Sequence, residues 1–183
     1  MTKQLASRIK ITVCRVPVLS ATTTLYYEVN KMRAPFQILA IPYRIVDGEP
    51  HYCVFHRSDF DQWQFISGGG EDNETPLEAA KREIWEESGV NANSIIPLTT
   101  MCHIPTYIFP KKYLCNWPED TYVVPEYTFG FACKGEIKLS DEHLEYAWLT
   151  YERACNKLKW DSNRTALYEL NCRLLRKCCG NDR

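Results

Sequence analysis

The chain lacks an excess of charge of either sign. Its 183 residues carry 22 Lys and Arg against 23 Asp and Glu, which gives a formal net charge of −1. General nucleic-acid binders and membrane-surface binders usually show a basic excess, so neither class is favoured and no nucleic-acid polymer is expected as a partner. An anionic substrate must therefore be attracted locally, by a metal ion or by a few Lys and Arg side chains.

Long apolar runs are also missing. No stretch is long enough for a membrane-spanning helix. Near the start, Arg15 and Pro17 interrupt the stretch ITVCRVPVLSA, so this segment does not match a secretory signal peptide. We therefore expect a cytoplasmic protein with no membrane association. The length and the 45% content of hydrophobic residues favour one globular domain with a substantial core.

The nine cysteines form no CxxC pair, and their number is odd. His51, Cys53 and His56 stand close together in the sequence. On a strand, however, alternate side chains point to opposite faces, so His56 would face away from the other two. A zinc site is therefore not predicted, and reduced thiols in a cytosolic protein are the better interpretation.

The most patterned stretch runs from Gly68 to Val90 and reads GGGEDNETPLEAAKREIWEESGV. It predicts a glycine loop that leads into a short acidic helix. Thr75 is a good N-cap, Pro76 fits the first helical position, and Glu78 completes a capping box. Gly89 is suited to end the helix, because glycine readily adopts the left-handed conformation found there.

Two faces are predicted for this helix. Leu77, Ala80 and Ile84 form a narrow apolar stripe that should face a core. Three glutamates share the neighbouring face, namely Glu83, Glu86 and Glu87. Carboxylates this close repel one another, and a hard divalent cation would turn the repulsion into binding. Taken alone, the pattern is better explained as a solvated acidic helix face.

The spacing of the stretch changes that interpretation. Gly68, five residues, Glu74, seven residues and then REIWEESGV at 82–90 resemble the Nudix box of the MutT-like hydrolases at every defined position. The resemblance implies an enzyme that uses Mg²⁺ or Mn²⁺ to cleave a nucleoside diphosphate linked to another group. It also implies an α/β fold, the Nudix-type α/β/α sandwich with a mixed β-sheet.

The order of the predicted elements favours the same fold class. Strands are predicted at 36–46, 51–56, 63–66, 95–101, 127–133 and 146–150, with a hairpin turn at Asp47-Gly48. Helices are predicted at 151–158 and from a cap at Asp161 or Ser162 to about 174. Strands, helix, strands and helix in this order indicate a mixed sheet covered by helices on both sides.

The resemblance to the box implies roles for its residues. Glu83, Glu86 and Glu87 would hold the metal, with Glu83 either a ligand or the general base. The resemblance also places Arg82 among the catalytic residues of the motif. Its role there is implied to be structural, as a salt bridge with Glu74 that orients the loop and the helix. A further carboxylate ligand often lies outside the box in this family, and two residues are equal candidates here, Glu126 and Glu142.

Three stretches outside the box resemble the members of this family that act on dihydroneopterin triphosphate or dATP: DQWQ at 61–64, EHLEYAWL at 142–149 and SNR at 162–164. The implied reaction releases pyrophosphate from a nucleoside or pterin triphosphate. The expected substrate-binding residues are Trp63, Gly68, Gly69, Asn163 and Arg164. EHLEYAWL would also fit a dinucleoside polyphosphate hydrolase, and a non-catalytic nucleotide-binding domain is a weaker third alternative.

The domain boundaries are expected at 1–33 for an N-terminal extension, 34–178 for the Nudix hydrolase domain and 179–183 for a tail. The extension has strand-like runs at 9–13 and 24–29 and could be an arm or an extra edge strand, and we allow for a homodimer. Residues 103–125 form an excursion with four prolines. This excursion either packs its own aromatics at the surface or serves as a substrate lid.

Overall fold

The computed structural model describes residues 31–178, with side chains described up to residue 176. The strand-like runs predicted at 9–13 and 24–29 lie outside the described residues. The elements, in chain order, are β1 Arg33–Val46, β2 Glu49–Arg57, β3 Trp63–Gln64, β4 Ile66–Glu71, α1 Pro76–Ser88, β5 Ile95–Pro105, α2 Lys111–Leu114, β6 Val123–Ala132, β7 His143–Leu149, α3 Tyr151–Lys157 and α4 Asp161–Cys178. No helix in this described part is long and apolar enough to cross a membrane.

The strands form one mixed sheet in the order β3-β2-β1-β6-β5, with β4 paired to β1 and β7 paired to β2. The long β1 strand is its centre. The first half of β1 pairs with β4 and its last residues pair with β2, both antiparallel, while β6 runs parallel to it. Asp47 and Gly48 both have positive φ, at 51° and 86°, which confirms the predicted hairpin turn between β1 and β2.

Helices cover both faces of this sheet. On one face, Ile38 and Ala40 of β1 pack in a core that includes Ile84 of α1. On the other face, Leu39 of β1 packs in a second core with Leu167 of α4. Neighbouring residues of β1 thus serve opposite cores, as the alternation of a strand requires. The predicted α/β/α sandwich with a mixed sheet is confirmed.

The same alternation assigns a face to each residue of β6. Phe129 and Phe131 lie in the core beneath α1. A Cβ placed on Gly130 would lie 2.6 Å from a methyl carbon of Leu170, so the intervening residues face α4. Glu126, which is two residues before Thr128 and four before Gly130, therefore lies on the α4 face of the sheet.

Helix α1 begins and ends as predicted. Thr75 accepts from the backbone N–H of Glu78, the Glu78 side chain accepts in return from the backbone N–H of Thr75, and Gly89 has a φ of 65°. Ala80 and Ile84 are fully buried, but the prediction for Leu77 was wrong, because 41% of its surface is exposed. Leu77 lies on the same face of the helix as Ala80 and Ile84, but in the first turn, which extends beyond the core.

Three other boundaries differ from the expectations. β5 extends to Pro105 and β6 begins at Val123, so both strands continue into the excursion. α4 begins at Asp161 itself, which places Asp161 and Ser162 within the first turn and not at the cap. The strand predicted at 63–66 is split between β3 and β4.

The capping box predicts a measurable share of the stability. Replacing Thr75 with Ala removes the side-chain acceptor for the N–H of Glu78, so the free energy of unfolding should fall by about 1 kcal/mol. Urea unfolding followed by circular dichroism measures this change. Thr75→Ser keeps the hydroxyl and should stay close to wild type, and an equal loss in both variants would contradict the capping explanation.

Candidate active site

The glycine run forms part of a strand rather than the expected loop. Gly68 and Gly69 lie in β4 and pair with Ile38 and Gln37 of β1. Their backbone does not use the left-handed conformation. Glycine is needed here for space, because a Cβ on Gly68 would lie 1.9 Å from the carboxyl carbon of Glu83. The run therefore lets a helix carboxylate rest directly on the sheet.

Arg82 connects this strand to α1 and to the intervening loop. Its Nε and Nη2 atoms donate to the two carboxylate oxygens of Glu74, each at 2.9 Å. Nη2 also donates to the carbonyl oxygen of Gly69 at 2.7 Å. The predicted salt bridge between Arg82 and Glu74 is confirmed, and its two-pronged geometry fixes the guanidinium plane.

The remaining arm of Arg82 holds two of the three predicted ligands. Nη1 lies 2.9 Å from Oε1 of Glu83 and 3.0 Å from Oε2 of Glu86. Glu83 is buried and Glu86 is exposed. Burial raises the pKa of Glu83 to about 7, with further upward contributions from Glu87 and Glu86 that Arg82 opposes. A cationic group already bridges these two carboxylates, which shows that the space between them suits positive charge.

Glu87 is the most buried of the three, with 3% of its surface exposed. Its Oε2 atom lies 2.6 Å from Nε2 of His143, whose own side chain is fully buried. Burial raises the pKa of Glu87 well above its ordinary value, and the neighbouring Glu142 adds to the rise. Burial also lowers the pKa of His143. The imidazole is therefore neutral near pH 7, and its Nε2 atom shares one hydrogen bond with the Glu87 carboxyl.

Glu142 lies beside this group, at the start of β7. Its Oε2 atom is 3.9 Å from Nη1 of Arg57, and its side chain is largely exposed. The next residue, His143, contacts Glu87, and the charge of Glu142 adds to the rise that burial causes in the pKa of Glu87. Of the two carboxylates predicted outside the box, this is the one that the fold brings to the α1 cluster.

The other, Glu126, is separated from that cluster. It faces α4, whereas Glu83 lies over Gly68 on the α1 face. Burial raises the pKa of Glu126, and Ser162 in the first turn of α4 opposes this rise. The prediction of Glu126 as a ligand of the same metal does not fit this placement. The physical reason is the alternation of side chains along β6. A residue one position earlier or later in the strand would have faced α1.

The predicted substrate-binding residues at the ends of β3 and α4 make contacts within the protein. Trp63 stacks on His56 with ring centroids 4.9 Å apart, and Nζ of Lys157 lies 3.8 Å from its ring centroid. Oδ1 of the buried Asn163 accepts from the backbone N–H of Phe65. Arg164 donates to carbonyl oxygens of Leu158 and Lys159 and to Asp161. These contacts give Asn163 and Arg164 structural roles, and their substrate contacts stay a prediction.

The excursion packs part of its own aromatic surface. Phe109 meets Trp117 edge to face, and Nε1 of Trp117 donates to the carbonyl oxygen of Arg33 at 2.7 Å. Tyr107 and Tyr122 remain exposed. The first of the two expectations for this segment therefore fits Phe109 and Trp117, and a lid function stays untested.

The donor set fits a hard divalent cation, although it is not preassembled. Within residues 31–178, no group of three or more His, Cys, Asp or Glu side chains is arranged to hold a metal ion. Arg82 engages Glu83 and Glu86, and His143 engages Glu87. The available atoms are carboxylate oxygens, which Mg²⁺ and Mn²⁺ prefer, and burial leaves two of the carboxylates short of positive charge. Glu86 and Glu87 would hold the ion, with Glu83 either a third ligand or the general base.

Two residues of this site were not among the predicted ones. His143 and Arg57 contact Glu87 and Glu142, respectively. His143 directly follows Glu142 in the EHLEYAWL stretch, so the resemblance of that stretch could have indicated His143 as a site residue. Arg57 lies at the end of β2 and belongs to no motif that the sequence analysis recognised.

Comparison with known proteins matches the sequence profile of the NUDIX domain to residues 40–170. Three curated relatives have different activities in their names. A dihydroneopterin triphosphate diphosphatase of Haemophilus influenzae is 31% identical over 61% of this chain and 72% of its own. An RNA pyrophosphohydrolase of Aliivibrio fischeri is 30% identical over 68% and 81%. An asymmetrical bis(5'-nucleosyl)-tetraphosphatase of Rattus norvegicus is 30% identical over 64% and 76%.

One solved structure resembles the chain over most of both lengths. A protein of Listeria monocytogenes that is described as a NUDIX hydrolase superposes with a TM-score of 0.69 and 43% sequence identity. The match covers 79% of this chain and 97% of that one. The likeness includes the mixed sheet and its flanking helices.

The contact between His143 and Glu87 predicts a metal-affinity effect. His143→Leu leaves Glu87 buried without its donor, which should raise the pKa of the carboxyl further and weaken Mg²⁺ binding about 10-fold at pH 7. Titration calorimetry of the folded variant measures this affinity. His143→Gln supplies an amide N–H and should recover most of it, whereas wild-type affinity in both variants would contradict the positioning role.

The raised pKa of Glu126 predicts a pH-dependent stability difference. Burial raises this pKa from 4.5 to about 7. The folded state therefore binds the proton more tightly, so this contribution to stability is present below pH 4.5 and is lost as the pH rises through about 7. Glu126→Gln carries no such charge and should gain up to roughly 3 kcal/mol over wild type between pH 4.5 and pH 8.

Urea unfolding of wild type and Glu126→Gln at pH 5 and pH 8 tests this difference. Other titrating groups are common to both proteins, so their contributions cancel. A difference in unfolding free energy that stays constant between the two pH values would show that Glu126 is not a buried titrating group.

Proposed function

The chain belongs to the NUDIX family of hydrolases, and we propose that it is a Mg²⁺- or Mn²⁺-dependent pyrophosphohydrolase that releases pyrophosphate from a nucleoside or pterin triphosphate. Members of this family typically depend on a divalent metal ion. The observation that carries the proposal is the packing of Glu83 and Glu87, two buried carboxylates on one face of α1, against β4 and His143. Such a cluster is costly without a bound cation.

The residues of this cluster have different environments and, in this proposal, different roles. Glu87 and Glu86 are ligands, and Glu142 is the candidate for a further ligand. When bound, the cation supplies charge neutralisation at the phosphate oxygens and lowers the pKa of water. Glu83 is the candidate general base, because burial brings the pKa of its carboxyl to about 7, near the pH at which the enzyme would work. Arg82 holds Glu83 and Glu86 in place.

Gly68 and Gly69 remain proposed contacts on the phosphate side of the substrate. The side chains of Glu83 and Arg33 already lie over these two glycines, and Arg57 lies next to Glu142 as a local positive charge. We place the catalytic domain at 34–178. Its substrate is a small molecule, and we retain a cytoplasmic location and a homodimer as parts of the proposal.

Two other substrate classes remain candidates because relatives of similar identity have them in their names. These are dinucleoside polyphosphates and the triphosphate at an RNA 5' end. The RNA class was not expected from the near-neutral charge of the chain. A non-catalytic binding domain is the weakest alternative, since Glu83, Glu86 and Glu87 are all present.

A metal-supplemented substrate panel tests the proposal. We expect pyrophosphate release from dATP, dGTP or dihydroneopterin triphosphate, with diadenosine tetraphosphate and a 5'-triphosphorylated RNA included as the rival substrates. Glu87→Gln should lower kcat by roughly 100-fold or more even at saturating Mg²⁺. Glu152→Gln, an exposed change on α3, is the matched control. Full activity of Glu87→Gln, or no turnover of any substrate, would contradict the proposal.

A further inference from the structure

Arg57, the last residue of β2, lies on the same face of the sheet as Glu87. Phe55, two residues earlier in β2, packs in the core beneath α1, so the alternation of a strand gives Arg57 the same face. The register partner of Arg57 in β7 is His143, whose Nε2 atom lies 2.6 Å from the Glu87 carboxylate. Arg57 therefore belongs to the side of the sheet that carries the proposed metal ligands.

One carboxylate fixes two of the three guanidinium nitrogens of Arg57. Nε and Nη2 donate to the two oxygens of Asp59, each at 2.6 Å. The loop that carries Asp59 is itself held, because the backbone N–H of Ser58 donates to the carbonyl oxygen of Glu142 at 2.9 Å. A two-pronged pair of this kind sets the plane of the guanidinium and hence the direction of its third nitrogen.

The third nitrogen, Nη1, has no acceptor within hydrogen-bond distance among residues 31–176. Oε2 of Glu142 lies 3.9 Å away, which is beyond that distance. The side chain of Arg57 is 22% exposed, and Nη1 is not closed off from solvent. Arg57 thus presents a charged donor that is fixed in direction, accessible and unused, which suits it to bind an anion.

The electrostatics connect this donor to the proposed metal ligands. The hydrogen bond to Asp59 raises the pKa of Arg57, burial opposes the rise, and the charges of Glu142 and Glu87 add to it. In turn, Arg57 opposes the rise that burial causes in the pKa of Glu87. The guanidinium therefore acts directly on one of the carboxylates at which the phosphate chain would be held.

The other guanidinium of the site, that of Arg82, has no nitrogen to spare. All three of its nitrogens donate to carboxylates of the loop and of α1 or to the backbone of β4. A phosphate could bind to Arg82 only at the expense of these contacts, whereas Nη1 of Arg57 has no hydrogen bond to break.

We propose that Arg57 is a substrate-binding residue whose Nη1 atom donates to the phosphate chain, with Asp59 holding the guanidinium in the required direction. This inference rests on the proposed function, because it takes the phosphate chain to lie at the carboxylates of α1. Arg82 and Arg57 then have separate tasks, since Arg82 holds the carboxylates and Arg57 holds the substrate. Every candidate substrate contains a diphosphate unit, so the assignment is the same for all of them.

Two substitutions of Arg57 should have effects of different size. Arg57→Gln removes the charge and the fork of donors. A hydrogen bond from a guanidinium to a phosphate is charged on both sides, so its loss should weaken binding of a diphosphate about 10- to 100-fold. Arg57→Lys keeps the charge but cannot bind both oxygens of Asp59 and also present a further fixed donor. Its affinity should lie between those of wild type and Arg57→Gln.

The experiment measures the dissociation constant of inorganic pyrophosphate by titration calorimetry in excess Mg²⁺. Pyrophosphate carries no base or pterin ring, so the result does not depend on which substrate the enzyme uses. The proteins are wild type, Arg57→Gln, Arg57→Lys and Arg153→Gln, an exposed change on α3 that serves as the matched control. The dissociation constant should rise about 10- to 100-fold in Arg57→Gln and stay close to wild type in Arg153→Gln.

Two further measurements separate this role from a structural one. Mn²⁺ affinity without pyrophosphate should be unchanged or tighter in Arg57→Gln, because removal of one cation beside Glu87 favours another. If Arg57 served only to hold the loop at Asp59, the same variant would show a lower melting temperature and weaker Mn²⁺ binding. Its pyrophosphate affinity at saturating metal would then be unchanged.

The outcomes distinguish the inference from the function on which it rests. Equal pyrophosphate affinities in wild type and Arg57→Gln would overturn the inference and leave the proposed function intact. Wild-type affinity in Arg57→Lys would contradict the fixed third donor, even if Arg57→Gln failed to fold. A wild-type protein that binds neither Mn²⁺ nor pyrophosphate would instead count against the proposed function.

Discussion

The guanidinium of Arg82 is the interaction on which the site depends. It binds both oxygens of Glu74 in the loop, the carbonyl oxygen of Gly69 in β4, and the carboxylates of Glu83 and Glu86 on α1. Strand, loop and helix are therefore held by one planar group whose donors have a fixed geometry. The absence of a side chain at Gly68 completes the arrangement, because any Cβ there would displace the Glu83 carboxylate.

The sheet divides the chemistry of the molecule between its two faces. The α1 face carries Glu83 and Glu87, whose burial raises their pKa values and creates a demand for positive charge. The α4 face carries Glu126, a buried residue whose Oε1 atom has no hydrogen-bond partner among residues 31–178. β1 lies between the two, since Ile38 faces α1 and Gln37 pairs with Glu126.

Much of the site was predictable because its pattern is local. The capping box, the end of α1 at Gly89, the pairing of Arg82 with Glu74 and the shared face of the glutamates all depend on spacings within one helix and its loop. The fold class followed from the box and from the order of strands and helices. The EHLEYAWL stretch also indicated Glu142, whose charge adds to the rise that burial causes in the pKa of Glu87, and its role as a metal ligand stays a prediction.

The contacts that the sequence did not predict depend on tertiary pairing. Whether Glu126 faces α1 or α4 depends on the register of β6 against β1. The partner of Glu126 in β1 is Gln37, 89 residues away in the sequence, so no local rule fixes this register. Trp63 is held by His56 and Lys157, and Asn163 by the backbone of Phe65, through contacts formed only after folding. The three glycines were predicted to form a loop because glycine is common in phosphate-binding loops. In the structure they lie in a strand, where glycine is needed to leave room for the carboxylate of Glu83.

The most direct test of the account is a crystal structure of the protein with Mn²⁺, in which anomalous scattering locates the ion. The account predicts a peak bonded to carboxylate oxygens of Glu87 and Glu86 on the α1 face, with Arg82 still bound to Glu74. A peak at Glu126 on the α4 face, or no bound ion at saturating Mn²⁺, would contradict it.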